Sequence, residues 1–166
     1  MNITIELVKK DEKEILRNLL EKYNYEFSLY DDRDVNDLGL YGYDYFDCYW
    51  TEENRYPFFV KVDGKLAGFV LLNDHSDLDT EINYAISEFF VMYKYRRYGI
   101  GKYVVKYLFD NYKGKWQLKY HTKNEISQHF WLKIVDEYTN GKYEKTERDL
   151  EVFGDRALWH ILSFET

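Results

Sequence analysis

Two groups of residues in this chain are equipped for chemistry. The first is Arg96-Arg97-Tyr98-Gly99-Ile100-Gly101, a basic turn with two glycines. It follows an apolar run, Phe89 to Met92, and precedes a stretch in which Ile100, Val104 and Leu108 recur at helical spacing. A glycine turn between strand and helix makes an anion site, because the first amides of a helix lack partners within it and sit at the positive end of its dipole. Glycine lets such a turn approach a ligand closely. Lys94, Arg96, Arg97, Lys102 and Lys106 lie between Phe89 and Phe109 with no Asp or Glu among them, so phosphate is the expected guest. The second group is Glu88, a carboxylate in the same apolar run, sharing a strand face with Ile86 and Phe90. Burial would raise its pKa toward the range a general base needs. At a sheet splay, or paired with a lysine, it would have no chemical duty. His121 and His129 are the alternative bases.

Two common phosphate loops do not fit. A P-loop requires Gly where Arg96 stands and Ser or Thr where Tyr103 stands. A dinucleotide fingerprint requires a third small residue where Val104 stands, and an early βαβ unit.

The elements that must hold these residues can be read along the chain. Ile3, Ile5 and Leu7 alternate with polar residues as in a half-buried strand. Asp11 with Glu14 is suited to cap a helix running to about Phe27, with Ile15, Leu19 and Tyr23 on its buried face. Residues 57–63 and 65–73 read as a hairpin turning at Asp63-Gly64. Glu81 to Met92 reads as a long strand delivering the chain to the glycine turn. The following helix ends near Lys113-Gly114, and Trp116 to His121 reads as a central strand. A helix then closes at Tyr138 to Gly141. Lys142 to Phe153 and Leu158 to Phe164 form a last hairpin across Gly154-Asp155. The order β-α-(α)-β-β-β-α-β-α-β-β implies a mixed sheet.

Residues 30–56 stand apart. Eight acidic residues, Asp44 and Asp47 among them, face only Arg33 and Arg55, a local charge of −6 interleaved with Tyr45, Trp50 and other aromatics. Either the aromatics fill the core beneath solvated acids, or the segment is a pocket wall for a cationic ligand.

Composition sets the outer limits. The 166 residues suit one domain, 1–166, with an aromatic-rich core built from 18 Tyr, 11 Phe and 4 Trp. A single cysteine, Cys48, leaves no internal disulfide, so a reducing cytoplasm is the expected location. A net charge of −7 argues against nucleic-acid binding, and no membrane span or signal peptide is expected in a charged, alternating Met1 to Lys13. No metal site is expected.

Arg96-x-x-Gly99-x-Gly101 resembles the (Gln/Arg)-x-x-Gly-x-(Gly/Ala) signature of the GNAT superfamily of acyl-CoA-dependent N-acyltransferases. Asn124-Glu-Ile-Ser-Gln-His-Phe-Trp-Leu-Lys133 resembles the family's second signature, Asn-x-x-Ala-x-x-Phe-Tyr-x-Lys, with matches at Asn124, Phe130 and Lys133. Trp131 departs from it, standing where the family has tyrosine, and Ile134-Val135 replaces the usual Gly-Phe. The resemblance spans nearly the whole chain, least clearly at residues 30–56. It implies an α/β fold: a central mixed, mostly antiparallel twisted sheet of six to seven strands with helices on both faces.

It further implies an N-acetyltransferase carrying the acetyl group of acetyl-CoA directly to a primary amine, without an acyl-enzyme. The cofactor would lie on Phe90, Val91, Arg96, Arg97, Tyr98, Gly99, Ile100, Gly101 and Lys102, with Asn124, Phe130 and Lys133 beside it. Glu88 would be the base. Trp131 cannot supply the family's proton to the departing thiolate, so another tyrosine such as Tyr138, or solvent, supplies it, or the thiolate leaves unprotonated. Asp44, Tyr45, Asp47 and Trp50 are candidate contacts for a cationic acceptor. A homodimer is compatible with this reading. The alternative is a non-catalytic acyl-CoA-binding or interaction module on the same fold.

Overall fold

Asp63 and Gly64 take φ of +49° and +75°, the left-handed pair that a two-residue hairpin turn requires. They join β2 (Tyr56–Val62) to β3 (Lys65–Asn73), which pair antiparallel. In the computed structural model, which describes residues 1–166, this hairpin lies within a sheet of seven strands. The others are β1 (Ile3–Leu7), β4 (Tyr84–Val91), β5 (Lys115–His121), β6 (Tyr143–Val152) and β7 (Asp155–Glu165), in the order β1-β2-β3-β4-β5-β7-β6. Every neighbouring pair is antiparallel except β4 and β5. The helices are α1 (Lys13–Phe27), α2 (Cys48–Thr51), α3 (Ile100–Asn111) and α4 (Glu125–Thr139).

Each face of the sheet is covered. Leu16, Leu19 and Leu20 of α1 meet Phe59, Phe69, Leu71 and Phe90 on one face, with Phe46 and Tyr49 of the 30–56 segment in the same cluster. Val104, Val105 and Leu108 of α3 and Trp131, Ile134 and Val135 of α4 meet Val60, Val70, Leu72 and Trp116 on the other.

Several local expectations are corrected. Glu12, not Glu14, makes the reciprocal bond at the first helix start, accepting from Lys9 N–H at 3.1 Å, because a 3-10 turn over Lys10–Glu12 precedes α1. The acidic segment forms only the four-residue α2, with Phe46 and Tyr49 spent on packing. β4 begins at Tyr84; the side chain of Asn83 just before it accepts from Lys115 N–H at 2.8 Å. The last hairpin turns on Phe153-Gly154 (φ +52° and +81°), with Val152 opposite Asp155.

Two features of β4 set the geometry around it. Leu71 pairs with Glu88 and Leu72 with Ile86, so Ser87 is an extra residue, a bulge. The bulge resets the alternation: Ile86 packs beneath α3 and α4, whereas Glu88 and Phe90 face α1. Glu88 therefore shares its face with Phe90 but not with Ile86. The second feature is the short pairing of β4 with β5, which spans only Tyr84 to Ile86 opposite Trp116 to Leu118. Beyond these residues the two strands part.

Candidate active site

A cleft of about 720 Å³ opens where β4 and β5 separate. β4 lines it from Ile86 to Val91, β5 from Lys119 to His121, the turn before α3 supplies Arg96, Arg97 and Gly99, and the first turn of α3 supplies Ile100, Gly101 and Lys102. Asn124, Phe130 and Trp131 come from the start of α4. Gly68 allows β3 to lie close beneath: a Cβ there would sit 1.9 Å from the Phe90 carbonyl oxygen.

At one end the cleft is a set of free donors. Gly99 takes φ +76° and starts α3, whose first bond is Tyr103 N–H to the Gly99 carbonyl at 3.0 Å. The N–H groups of Arg97 through Lys102 donate to no acceptor within the protein. Gly101 keeps this surface open, since a Cβ would meet the Phe130 ring at 3.1 Å. Val91 contributes as well. Met92 N–H is bonded to Ala67 on β3, so strand alternation turns Val91 N–H the other way, into the split.

The side-chain charges at this end are largely committed. Arg96 donates to the Val91 carbonyl at 2.6 Å and to Glu26 of α1 at 2.7 Å, and Lys102 pairs with Glu137. Arg97 has no ion-pair partner. Tyr98 is exposed, and neither it nor Lys133 lines the cleft.

At the other end is Glu88, 8% exposed. Burial raises its pKa above the ordinary carboxylate value, with hydrogen bonds from Tyr23 and Tyr43 and the charges of Lys119 and Arg33 pulling it partly back. Tyr43 donates to Glu88 Oε1 at 3.3 Å. Lys119 is itself held by Asp77 at 2.7 Å, and Arg33 by Asp31 at 2.7 Å. The sequence marks Asp31 and Arg33 only as members of the acidic segment and Tyr23 only as a residue on the buried face of its helix; Lys119 and Phe153 carry no local signal.

His121 lines the cleft, and its Nδ1 accepts from Lys123 N–H at 3.1 Å. That bond occupies the lone pair of a neutral imidazole, leaving only a donor at Nε2, and burial holds the pKa below its usual value. His129 is exposed and outside the cleft.

Tyr138 must be corrected as the candidate acid. Seven residues beyond Trp131, it stands about 10 Å further along the helix. There its hydroxyl donates to Asp110 at 2.7 Å and accepts from Lys113 at 2.9 Å, outside the cleft. The acceptor contacts need correction too. Asp47 pairs with Lys13, Tyr45 is 58% exposed, and Trp50 donates its indole N–H to the Val8 carbonyl at 3.0 Å, all away from the cleft. Asp44 borders a second cavity of about 420 Å³, together with Asp32, Asp34, Tyr43 and Phe153. Packing explains the pattern: Phe46 and Tyr49 turn inward, so their neighbours face out.

The model of the acetyltransferase (GNAT) family matches residues 14–135. The chain belongs to the GNAT acetyltransferase family. A search of curated proteins returned no match. Solved GNAT structures match almost end to end. Spermidine N-acetyltransferase from Vibrio cholerae, solved with CoA and spermine, is 15% identical and has a TM-score of 0.63, over 98% of this chain and 95% of that one. Arabidopsis thaliana Naa50, solved with a bisubstrate analogue, is 16% identical over all of both chains, with a TM-score of 0.63. The ribosomal-protein-S18-alanine N-acetyltransferase from Escherichia coli is 13% identical over 99% and 94%, with a TM-score of 0.61. At such identities the likeness is one of fold.

Proposed function

We propose that the protein transfers the acetyl group of acetyl-CoA directly to a primary amine, with Glu88 as general base. One observation carries this: a buried carboxylate of raised pKa and a run of unpartnered amides lie in the same cleft. The amides from Arg97 to Lys102 receive the pyrophosphate, with Arg97 the uncommitted side-chain charge. Val91 N–H polarises the thioester carbonyl and steadies the oxyanion. The amine nitrogen attacks the carbonyl carbon, its proton passes to Glu88 directly or through one water, and the carbon–sulfur bond breaks. The thiolate leaves unprotonated and takes its proton from solvent, since Trp131 holds the position of the family's acid.

The acceptor is a cationic small molecule. Glu26 and Asp31 are neutralised by Arg96 and Arg33, but Asp155 lines the cleft without an ion-pair partner and joins Asp32, Asp34 and Asp44 in the adjoining cavity, so the side of the approach that borders this cavity is acidic. The spermine complex of the V. cholerae relative gives this reading a precedent. The test is thiol release from acetyl-CoA across polyamines, aminoglycosides, lysine-like amines, peptide N-termini and neutral amines. Cationic small amines should turn over fastest. Turnover confined to neutral or anionic acceptors would overturn the acceptor class.

The indole at Trp131 favours a second reading, an acyl-CoA-binding module without turnover. Tight CoA binding with no acetylation of any amine in the panel would establish it.

A further inference from the structure

The segment between α1 and β2 places one phenol, Tyr43, against the proposed base. Tyr43 stands 3.3 Å from Glu88 Oε1 and 3.5 Å from Ser87 Oγ, the bulge residue. It borders the small acidic cavity, whereas Glu88 borders the cleft, so the phenol stands between the carboxylate and that cavity. Its ring rests against Phe153 at 5.2 Å, and the Arg33 guanidinium lies over the Phe153 ring at 4.9 Å. Phe153 holds φ +52°, a conformation that a bulky side chain adopts only at a cost. The strained hairpin turn, the acidic segment and the bulge thus converge on one hydroxyl.

We propose that Tyr43 is a positioning residue for Glu88: its hydroxyl, 3.3 Å from Oε1, fixes the carboxylate's rotamer at the edge of the cleft. This rests on Glu88 being the base. The groups facing Glu88 are Tyr23 from α1, Arg33 and Tyr43 from the segment after it, Tyr49 from α2 and Lys119 from β5. Arg33 and Lys119 are each tied to a carboxylate of their own. Tyr23 and Tyr43 are therefore the neutral donors to the base, and Tyr43 is the one delivered by the acceptor-side segment. A hydrogen bond to the charged form favours ionisation. Removing it moves Glu88 toward its acid form.

The experiment uses the unliganded full chain, so its outcome does not depend on finding the acceptor. Glutamate is labelled at the carboxyl carbon and titrated by NMR, with Glu88→Gln identifying the Glu88 signal. In Tyr43→Phe, which keeps the ring against Phe153, the protonation equilibrium of Glu88 should shift about tenfold toward the acid. Other glutamates should be unmoved. An unmoved Glu88 midpoint, or one displaced toward lower pH, overturns the proposal. The base assignment fails separately, in the amine assay, if Glu88→Gln retains wild-type turnover and its acidic limb.

Discussion

Replacing Gly101 with glutamate separates cofactor binding from folding. Gly101 is the second residue of α3 and has no positive φ, so a side chain there brings no backbone strain. Its Cβ would meet the Phe130 ring at 3.1 Å, and the ring must give by a few tenths of an ångström. Overpacking of this kind costs about 1–3 kcal/mol. Two terms oppose it: replacing a helical glycine gains at most about 0.5–1 kcal/mol, the mid-helix value, and an acid in the first turn about 0.3–1 kcal/mol. The terms nearly cancel, so the variant should fold with a thermal midpoint within a few degrees of wild type.

Binding behaves differently. A carboxylate about 4 Å from a phosphate costs about 4 kcal/mol at an effective dielectric of 20, roughly a thousandfold in affinity. Calorimetric titration with CoA, alongside circular dichroism, measures both quantities. Gly101→Ala brings the ring contact without the charge and should lose about tenfold or less. A folded Gly101→Glu protein that binds CoA as wild type does would refute the phosphate-cradle assignment.

Glu88→Gln should remove the acidic limb of turnover and also stabilise the protein, in a pH-dependent way. Because burial raises the folded-state pKa, Glu88's favourable contribution is present below its unfolded value and lost as pH rises through the folded one. The variant should therefore melt higher than wild type at pH 8 and with it near pH 4; a lower midpoint at pH 8 contradicts the burial argument. Asp155→Asn should raise the acceptor's Michaelis constant more than that of acetyl-CoA, and the effect should shrink with added salt. Asp47→Asn, on the outer surface, should leave both constants alone, and a salt-independent, uncharged best acceptor would reject this electrostatic account. Phe153→Asn should relax the turn by about 1 kcal/mol but give up the ring's contacts with Tyr43 and Arg33, so stability should change little while acceptor use weakens; unchanged acceptor constants would show that the ring does not shape the site. Trp131→Tyr should raise turnover by no more than about thirtyfold.

What was legible in the sequence was local. The strand, glycine turn and helix around Gly99 are written in neighbouring residues, as is the Asp63-Gly64 hairpin, because turn chemistry and apolar periodicity act over a few positions. Glu88 could be marked as unusual for the same reason. Its surroundings could not be read. Tyr23, Arg33 and Lys119 reach it from distant parts of the chain, and nothing near any of them announces the meeting. The bulge at Ser87 is similarly silent, yet one extra residue moves Ile86 and Glu88 to opposite faces. The acidic segment misled through its composition. Charge density marks a region, but Phe46 and Tyr49 decide which of its side chains turn inward, so Asp31 and Arg33 reach the cleft and Asp47 does not.

The tryptophan at position 131 bears on where the chemical burden falls. Its ring packs 5.5 Å from Phe89 and 4.9 Å from Phe130, so this wall of the cleft is apolar and carries no acid. The leaving group makes that tolerable. A free thiol ionises near pH 8.5, so releasing a thiolate at pH 7 costs only about 2 kcal/mol, roughly thirtyfold. An alkylammonium has the opposite difficulty: with an ordinary pKa near 10.4 it reaches pH 7 with about one molecule in 2,500 neutral. Deprotonating the nucleophile is thus the larger barrier, and the residues that meet it are those the fold gathers from four parts of the chain around Glu88. Installing a phenol at position 131 acts only on the smaller term. A gain well above thirtyfold would mean that thiolate departure, not amine activation, limits the reaction.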